Sequence, residues 1–211
     1  MMSNVRDPPT RCAHPFYACA GFHEPSAGEG EWVDDHGRVG SRHKGRGGTH
    51  TELSVFGLGG DRIADPVFCA ALPDFLAAAL DGAGPAFARV DLRNFHDTPD
   101  LEAALRRTHR KYLGESRTHL RGYSWVTGVP AELAARLGGA SHLSADGAFH
   151  AVRELRGGGL LLQATETLAG YDDRAMREVF RALAPVLPPG IPGDDPARPG
   201  LRVVPEDASG V

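Results

Sequence analysis

The hydrophobic pattern is clearest between Leu120 and Gly139, which reads LRGYSWVTGVPAELAARLGG. Side chains alternate across an extended strand, so Tyr123, Trp125, Thr127 and Val129 share one face. Pro130 suits the first turn of a helix, where its missing N–H has no partner to lose. Leu133, Ala134 and Leu137 then form an apolar stripe, and Gly138-Gly139 can adopt the positive φ that ends a helix. The ASHLSADG that follows is polar and predicts a turn.

The rest of the chain can be placed around this unit. Leu53 and Val55 alternate with polar neighbours from Thr51 to Phe56 and predict a first strand. Asp65-Pro66 opens a helix, VFCAALPDFLAAAL, with Phe75, Leu76, Ala79 and Leu80 on its buried side. Pro73 is expected to kink or divide it. Ala86 to Arg93 predicts a strand with Ala88, Val90 and Leu92 facing one way. Thr98-Pro99 then starts a helix, DLEAALRRTHRKYL, that buries Leu101, Ala104, Leu105, Thr108 and Tyr112. Ala148–Leu155 and Leu160–Glu166 predict a hairpin joined through Arg156-Gly157-Gly158-Gly159. Asp172 caps a last helix whose Ala175, Met176, Val179, Phe180 and Leu183 follow helical spacing, and Pro185 and Pro188-Pro189 stop it. The order β-α-β-α-β-α-β-β-α implies an α+β fold, an open mixed β-sheet with helices packed on it.

Composition divides the chain into three parts. Its 27 glycines and 16 prolines concentrate before residue 50 and after residue 184. Residues 1–49 read as an irregular Gly/His-rich N-terminal arm, 50–188 as a single α+β domain, and 189–211 as a disordered Pro/Gly-rich tail. A net charge of −4 and an arm with balanced charges argue against a nucleic-acid partner. No apolar run approaches the ~20 residues of a membrane helix, and the first residues lack the apolar core of a secretory signal. The expectation is a cytoplasmic protein with no membrane partner. Three cysteines, an odd number, do not make a disulfide scaffold.

The strongest surface feature is basic. Arg106, Arg107, Arg110 and Arg117, with Lys111 and Arg121 nearby, read as a surface that steers an acidic protein partner. Thiolates and imidazoles are the ligands zinc prefers, and the arm carries Cys12, His14, Cys19 and His23. These lack the tight C-x-x-C pair of a strong zinc signal, so the expectation is no metal and no cofactor. Ser124, Ser141, His142, Asp146 and His150 are the residue types a hydrolase uses, but neither serine sits in a G-x-S-x-G elbow. Binding is therefore favoured over catalysis. The alternative is a small metal-dependent hydrolase that uses the histidine-rich arm.

Three stretches carry a resemblance: GYSWVTGVPAELAARLGG, GAFHAVRELRGGGLLLQATET and RALAPVLPPGIP. Together they resemble a bacterial family of unknown-function domains grouped as type VI immunity proteins, over a span from Leu101 to Pro192. The matching residues specify architecture more than activity, and no catalytic residues carry over from the family. The histidine- and glycine-rich arm departs from the family pattern. The resemblance implies a small cytoplasmic protein whose partner is a cognate toxin, a toxic effector that it binds and neutralises.

Overall fold

The computed structural model describes residues 15–22, 38–43, 51–58, 60–92, 98–107 and 114–211, with backbone alone for the first three strands. The strands are β1 (Pro15–Phe22), β2 (Arg38–His43), β3 (Thr51–Leu58), β4 (Phe87–Leu92), β5 (Val126–Val129), β6 (Ala151–Glu154) and β7 (Leu160–Gln163). The helices with both ends among the described residues are α1 (Pro66–Leu80), α2 (Asp100–Ala104), α3 (Ala131–Arg136), α4 (Gly139–Asp146) and α5 (Asp173–Leu183), and Gly114 and Glu115 are helical as well. The strands join in one open sheet in the order β2-β3-β1-β4-β5-β7-β6. The fold is α+β.

The sheet is antiparallel at every described pairing, not mixed. A parallel neighbour needs a crossover long enough to carry the chain back along the sheet. The five residues between β6 and β7 are too few for one. Two strands also lie where an irregular arm was expected. β1 sits inside the sheet between β3 and β4, and β2 forms one edge. β1 is apolar at nearly every position and β2 is short and polar, so neither shows the alternation that marks a half-buried strand.

Burial explains how the middle of the sheet is held. Phe87–Asp91 of β4, all of β5 and all of β7 are buried. Consecutive strand residues face opposite sides, so this part of the sheet is covered on both faces. Trp125, Val126 and Val129 meet Leu76 and Leu80 of α1, Leu133 of α3 and Phe180 of α5 in one core. The Trp125 indole donates to the Thr165 carbonyl at 2.9 Å. Burial runs without a break from Leu120 to Pro130, so the polar groups there must pair internally. The Ser124 hydroxyl donates to the Val126 carbonyl at 2.6 Å, and the Ser124 N–H donates to the Thr127 hydroxyl at 3.0 Å.

Several helices depart from their sequence pattern. α1 runs through Pro73 unbroken, and Phe75 is 43% exposed rather than buried. The residues after Gly139, expected as a turn, form α4. Gly138 adopts φ +81° and re-aims the chain, and Leu143 then enters the core at 2% exposure. α5 buries Ala175, Met176, Val179, Phe180 and Leu183, and the Asp172 carboxylate accepts from the N–H groups of Arg174 and Ala175. The hairpin turns through Arg156, Gly157 and Gly158, with Gly158 at φ +78°. Leu155 N–H closes it on the Gly159 carbonyl at 2.8 Å, the geometry of a type I turn ending in a left-handed residue.

The segment after Pro189 packs on the domain, although its composition suggested disorder. Val204 is 1% exposed, and its N–H donates to the Tyr123 hydroxyl at 2.8 Å. Arg202 N–H donates to Asp100, and its guanidinium lies 5.1 Å above the Tyr171 ring while donating to the Tyr171 carbonyl. Gly190 N–H is received by Asp207. Specific polar anchors hold this strap where apolar periodicity is absent.

Candidate functional site

The basic stretch does not form one helix face. α2 ends in a Schellman motif, in which Arg107 N–H donates to the Glu102 carbonyl and Arg106 N–H to the Ala103 carbonyl. Arg106 occupies the left-handed position of that motif, at φ +50°. This turn of the chain separates Arg106 and Arg107 from the row the periodicity implied. Arg110 lies outside the described residues, as do Cys12, His14 and His23. Cys19 is on β1, where its backbone pairs opposite Ser54 and Arg89.

Beyond α2, the turn at residues 114–120 gathers charge from distant parts of the chain. Arg107 bonds to the Glu115 carboxylate. Arg117 pairs with Glu132 of α3 at 3.0 Å and donates to the Gly84 carbonyl at 2.7 Å. One helical turn after Glu132, Arg136 donates to the carbonyls of Thr118 at 2.5 Å and Pro185 at 2.7 Å. Among these residues lies His119, whose pKa is lowered by burial and by the positive charges of Arg107 and Arg136, against the pull of Glu115. Its neutral form is therefore favoured.

Arg121, the last cation of the stretch, points inward. It forms a two-pronged pair with Glu102, at 2.8 and 3.1 Å, where Glu102 is fully buried. Arg89 and Asp91 of β4 make a second buried pair at 3.6 Å. Burial pushes the Tyr123 hydroxyl up to about 12 and raises Tyr171 well above its ordinary value. Both phenols stay protonated at neutral pH, so this interior is a charged framework with neutral hydroxyls.

On the far side of Arg136 lies an open cavity of about 370 Å³, lined by Arg136, His142, Leu143, Asp146 and Arg181 among others. A second, of about 320 Å³, continues past Asp146 and Arg181 to Arg174 and Glu178. The two share Asp146 and Arg181 and form one groove between α4 and α5. His142 and Asp146, two of the residue types a hydrolase uses, sit in this groove. Arg136 and Arg181 carry no sequence signal, because they are separated along the chain and lie on otherwise ordinary helices.

The candidate nucleophiles are not poised for attack. The Ser124 hydroxyl is buried and bonded to a backbone carbonyl. Ser141, His142, Asp146 and His150 make no hydrogen bonds to one another among the described residues, so no nucleophile–base–orienter chain is assembled there. Burial, more than Leu168 N–H compensates, raises the pKa of the Cys69 thiol, which keeps it protonated between the Ile63 carbonyl and the Leu168 N–H. Among the described residues, no group of three His, Cys, Asp or Glu could hold a metal, and no helix is long and apolar enough to cross a membrane. In comparisons with known proteins, no family model, curated protein or solved structure matches the chain.

Proposed function

We propose that the protein is a non-catalytic binding protein of the immunity type, acting in the cytoplasm to neutralise a cognate toxic effector. The observation that carries this reading is Arg136. Its guanidinium is clamped by two backbone carbonyls at the surface, and it makes no ion pair with a carboxylate among the described residues. A cation fixed in this way loses little conformational freedom when it meets an acidic partner. Arg107 and Arg117 extend the same surface, where their pairs with Glu115 and Glu132 and the Leu120 N–H bond to the Val186 carbonyl hold residues 114–120 in place. The resemblance around Tyr123–Gly139 is consistent with this use.

The test starts with the tagged full chain, purified at low salt from cells that produce it, with bound metals assayed on the same sample. The expected result is a stoichiometric protein that is toxic when expressed alone and harmless when co-expressed with this chain. A partner-free protein carrying zinc at near-unit stoichiometry would overturn the reading and direct attention to Cys12, His14, Cys19 and His23.

A further inference from the structure

We infer that the groove between α4 and α5 is a carboxylate-binding site that takes an acidic segment of the protein partner. The inference rests on the binding-protein reading for the source of its occupant, while the groove's charge stands on its own. Arg136 and Arg181 line the same 370 Å³ space. Arg136 gives one N–H from each of its terminal nitrogens to a carbonyl, which leaves further donors of its planar fork unused. The guanidinium of Arg181, exposed on the last turn of α5, has no hydrogen bond or ion pair to any described residue. No side chain caps the N-terminus of α4 at Gly138, which also borders the space, and a helix start favours negative charge. Leu137, Leu143 and Ala182 supply apolar wall.

The acidic side chains in the groove narrow the occupant. Asp146 lines both compartments, and Glu178 lines the second, where it pairs with Arg174 at 2.9 Å. Both signs of charge therefore line the groove. A continuous polyanion would place phosphates against Asp146 and Glu178, at a cost in like-charge repulsion. A peptide with separated carboxylates can put one between Arg136 and Arg181 and keep the next residue neutral. The two spaces fall near the lower end of the usual 300–1,000 Å³ for ligand pockets, room for a few side chains rather than for a folded element.

Titration of the full chain with acetyl-Glu-Ala-Glu-amide, followed by backbone amide NMR at low salt, tests the site without the partner. The expected result is shifts confined to Gly138–Leu143 and Arg181–Ala182. They should be absent with acetyl-Gln-Ala-Gln-amide and weakened roughly tenfold by Arg181→Glu, which removes one charge-assisted contact. Arg181→Glu touches no bond in the fold, so the folded state is kept, whereas Arg136→Glu would also release Thr118 and Pro185. Equal shifts with the two peptides, tighter binding of inorganic phosphate, or full binding by Arg181→Glu would overturn the site. If Arg181→Glu still neutralises the toxic partner as wild type does, the groove is excluded while the immunity reading stands. If the peptide binds but no toxic partner is found, the site stands and the immunity reading falls.

Discussion

Glu102→Ala is expected to be among the most damaging single changes in the domain. Glu102 is fully buried and Arg121 nearly so, at 9% exposure, and two N–H···O contacts join them. The Arg121 guanidinium also lies 5.6 Å from the Phe87 ring centroid. Truncating Glu102 leaves a guanidinium in the interior without that counter-charge, and a broken buried pair costs about 3–5 kcal/mol. For a chain of this size, that lowers Tm by roughly 6–20 °C. Urea unfolding followed by the fluorescence of buried Trp125 measures the loss. The backbone bonds that end α2 do not involve the Glu102 side chain, so α2 should survive. The pair is not intrinsically stabilising, because two desolvated charges can be replaced by apolar groups at little cost. Glu102→Leu combined with Arg121→Met should therefore recover most of the loss. A single-variant cost below about 1 kcal/mol, the size found for exposed pairs, would refute the reasoning. A double variant no better than the single would refute it too.

Three further outcomes can be checked by the same unfolding measurements. Gly128→Ala would place a methyl carbon 2.6 Å from Ala88 Cβ and 3.0 Å from Ala88 N, across the β4–β5 pairing; overpacking should cost about 1–3 kcal/mol, and an unchanged midpoint would contradict the close approach. Arg106→Gly should be neutral or stabilise by up to about 1 kcal/mol, since it removes left-handed strain and adds some unfolded-state entropy; a clear loss would show that the Arg106 side chain makes compensating contacts. Acid should destabilise the fold, because N–H donors lower the Asp172 carboxyl (Ala175 first, then Arg174), Arg156 lowers Asp81, and Gly190 and Ser209 lower Asp207. A depressed folded-state pKa gives stability that is present above the unfolded value of about 3.9 and lost as pH falls through the folded one, so Asp172→Asn should flatten that acid limb, and an unchanged limb would exclude Asp172 as a contributor.

What could be read from the sequence followed from local rules. The α5 stripe, the Asp172 cap, the glycine hairpin and the apolar residues after Pro130 each combine a period with a start or stop signal within a dozen residues. The misses depend on partners far along the chain. Serine and aspartate in ASHLSADG look like turn chemistry until Gly138 re-aims the backbone and Leu143 finds the core. Residues 189–211 show no period because the strap is held by point contacts, such as Val204 to Tyr123 and Arg202 to Asp100 and Tyr171. The antiparallel pairing of β1 with β3 and β4 joins residues far apart along the chain, and α2 ends early where Arg106 takes a conformation usually left to glycine.

The same locality governs the charge argument. Counting arginines between residues 99 and 121 identified a basic stretch, but charge available to a partner depends on what each guanidinium already meets. Arg107, Arg117 and Arg121 face Glu115, Glu132 and Glu102, so much of their charge is spent in holding the turn at residues 114–120 and α2 in place. Arg136 and Arg181 have no such carboxylate among the described residues, and the fold brings both to one groove. Pro185, just beyond α5, accepts from Arg136 through its carbonyl and so fixes the end of α3 beside the end of α5. The internal pairs supply rigidity and the isolated arginines supply the outward charge, a division of labour that suits a scaffold built to bind. Partner affinity should therefore depend more on Arg181, remote from the basic stretch, than on Arg117 within it. Comparing the salt dependence of partner binding for Arg181→Gln and Arg117→Gln would decide it, since an equal reduction in slope would return the basic stretch to the centre of the interface.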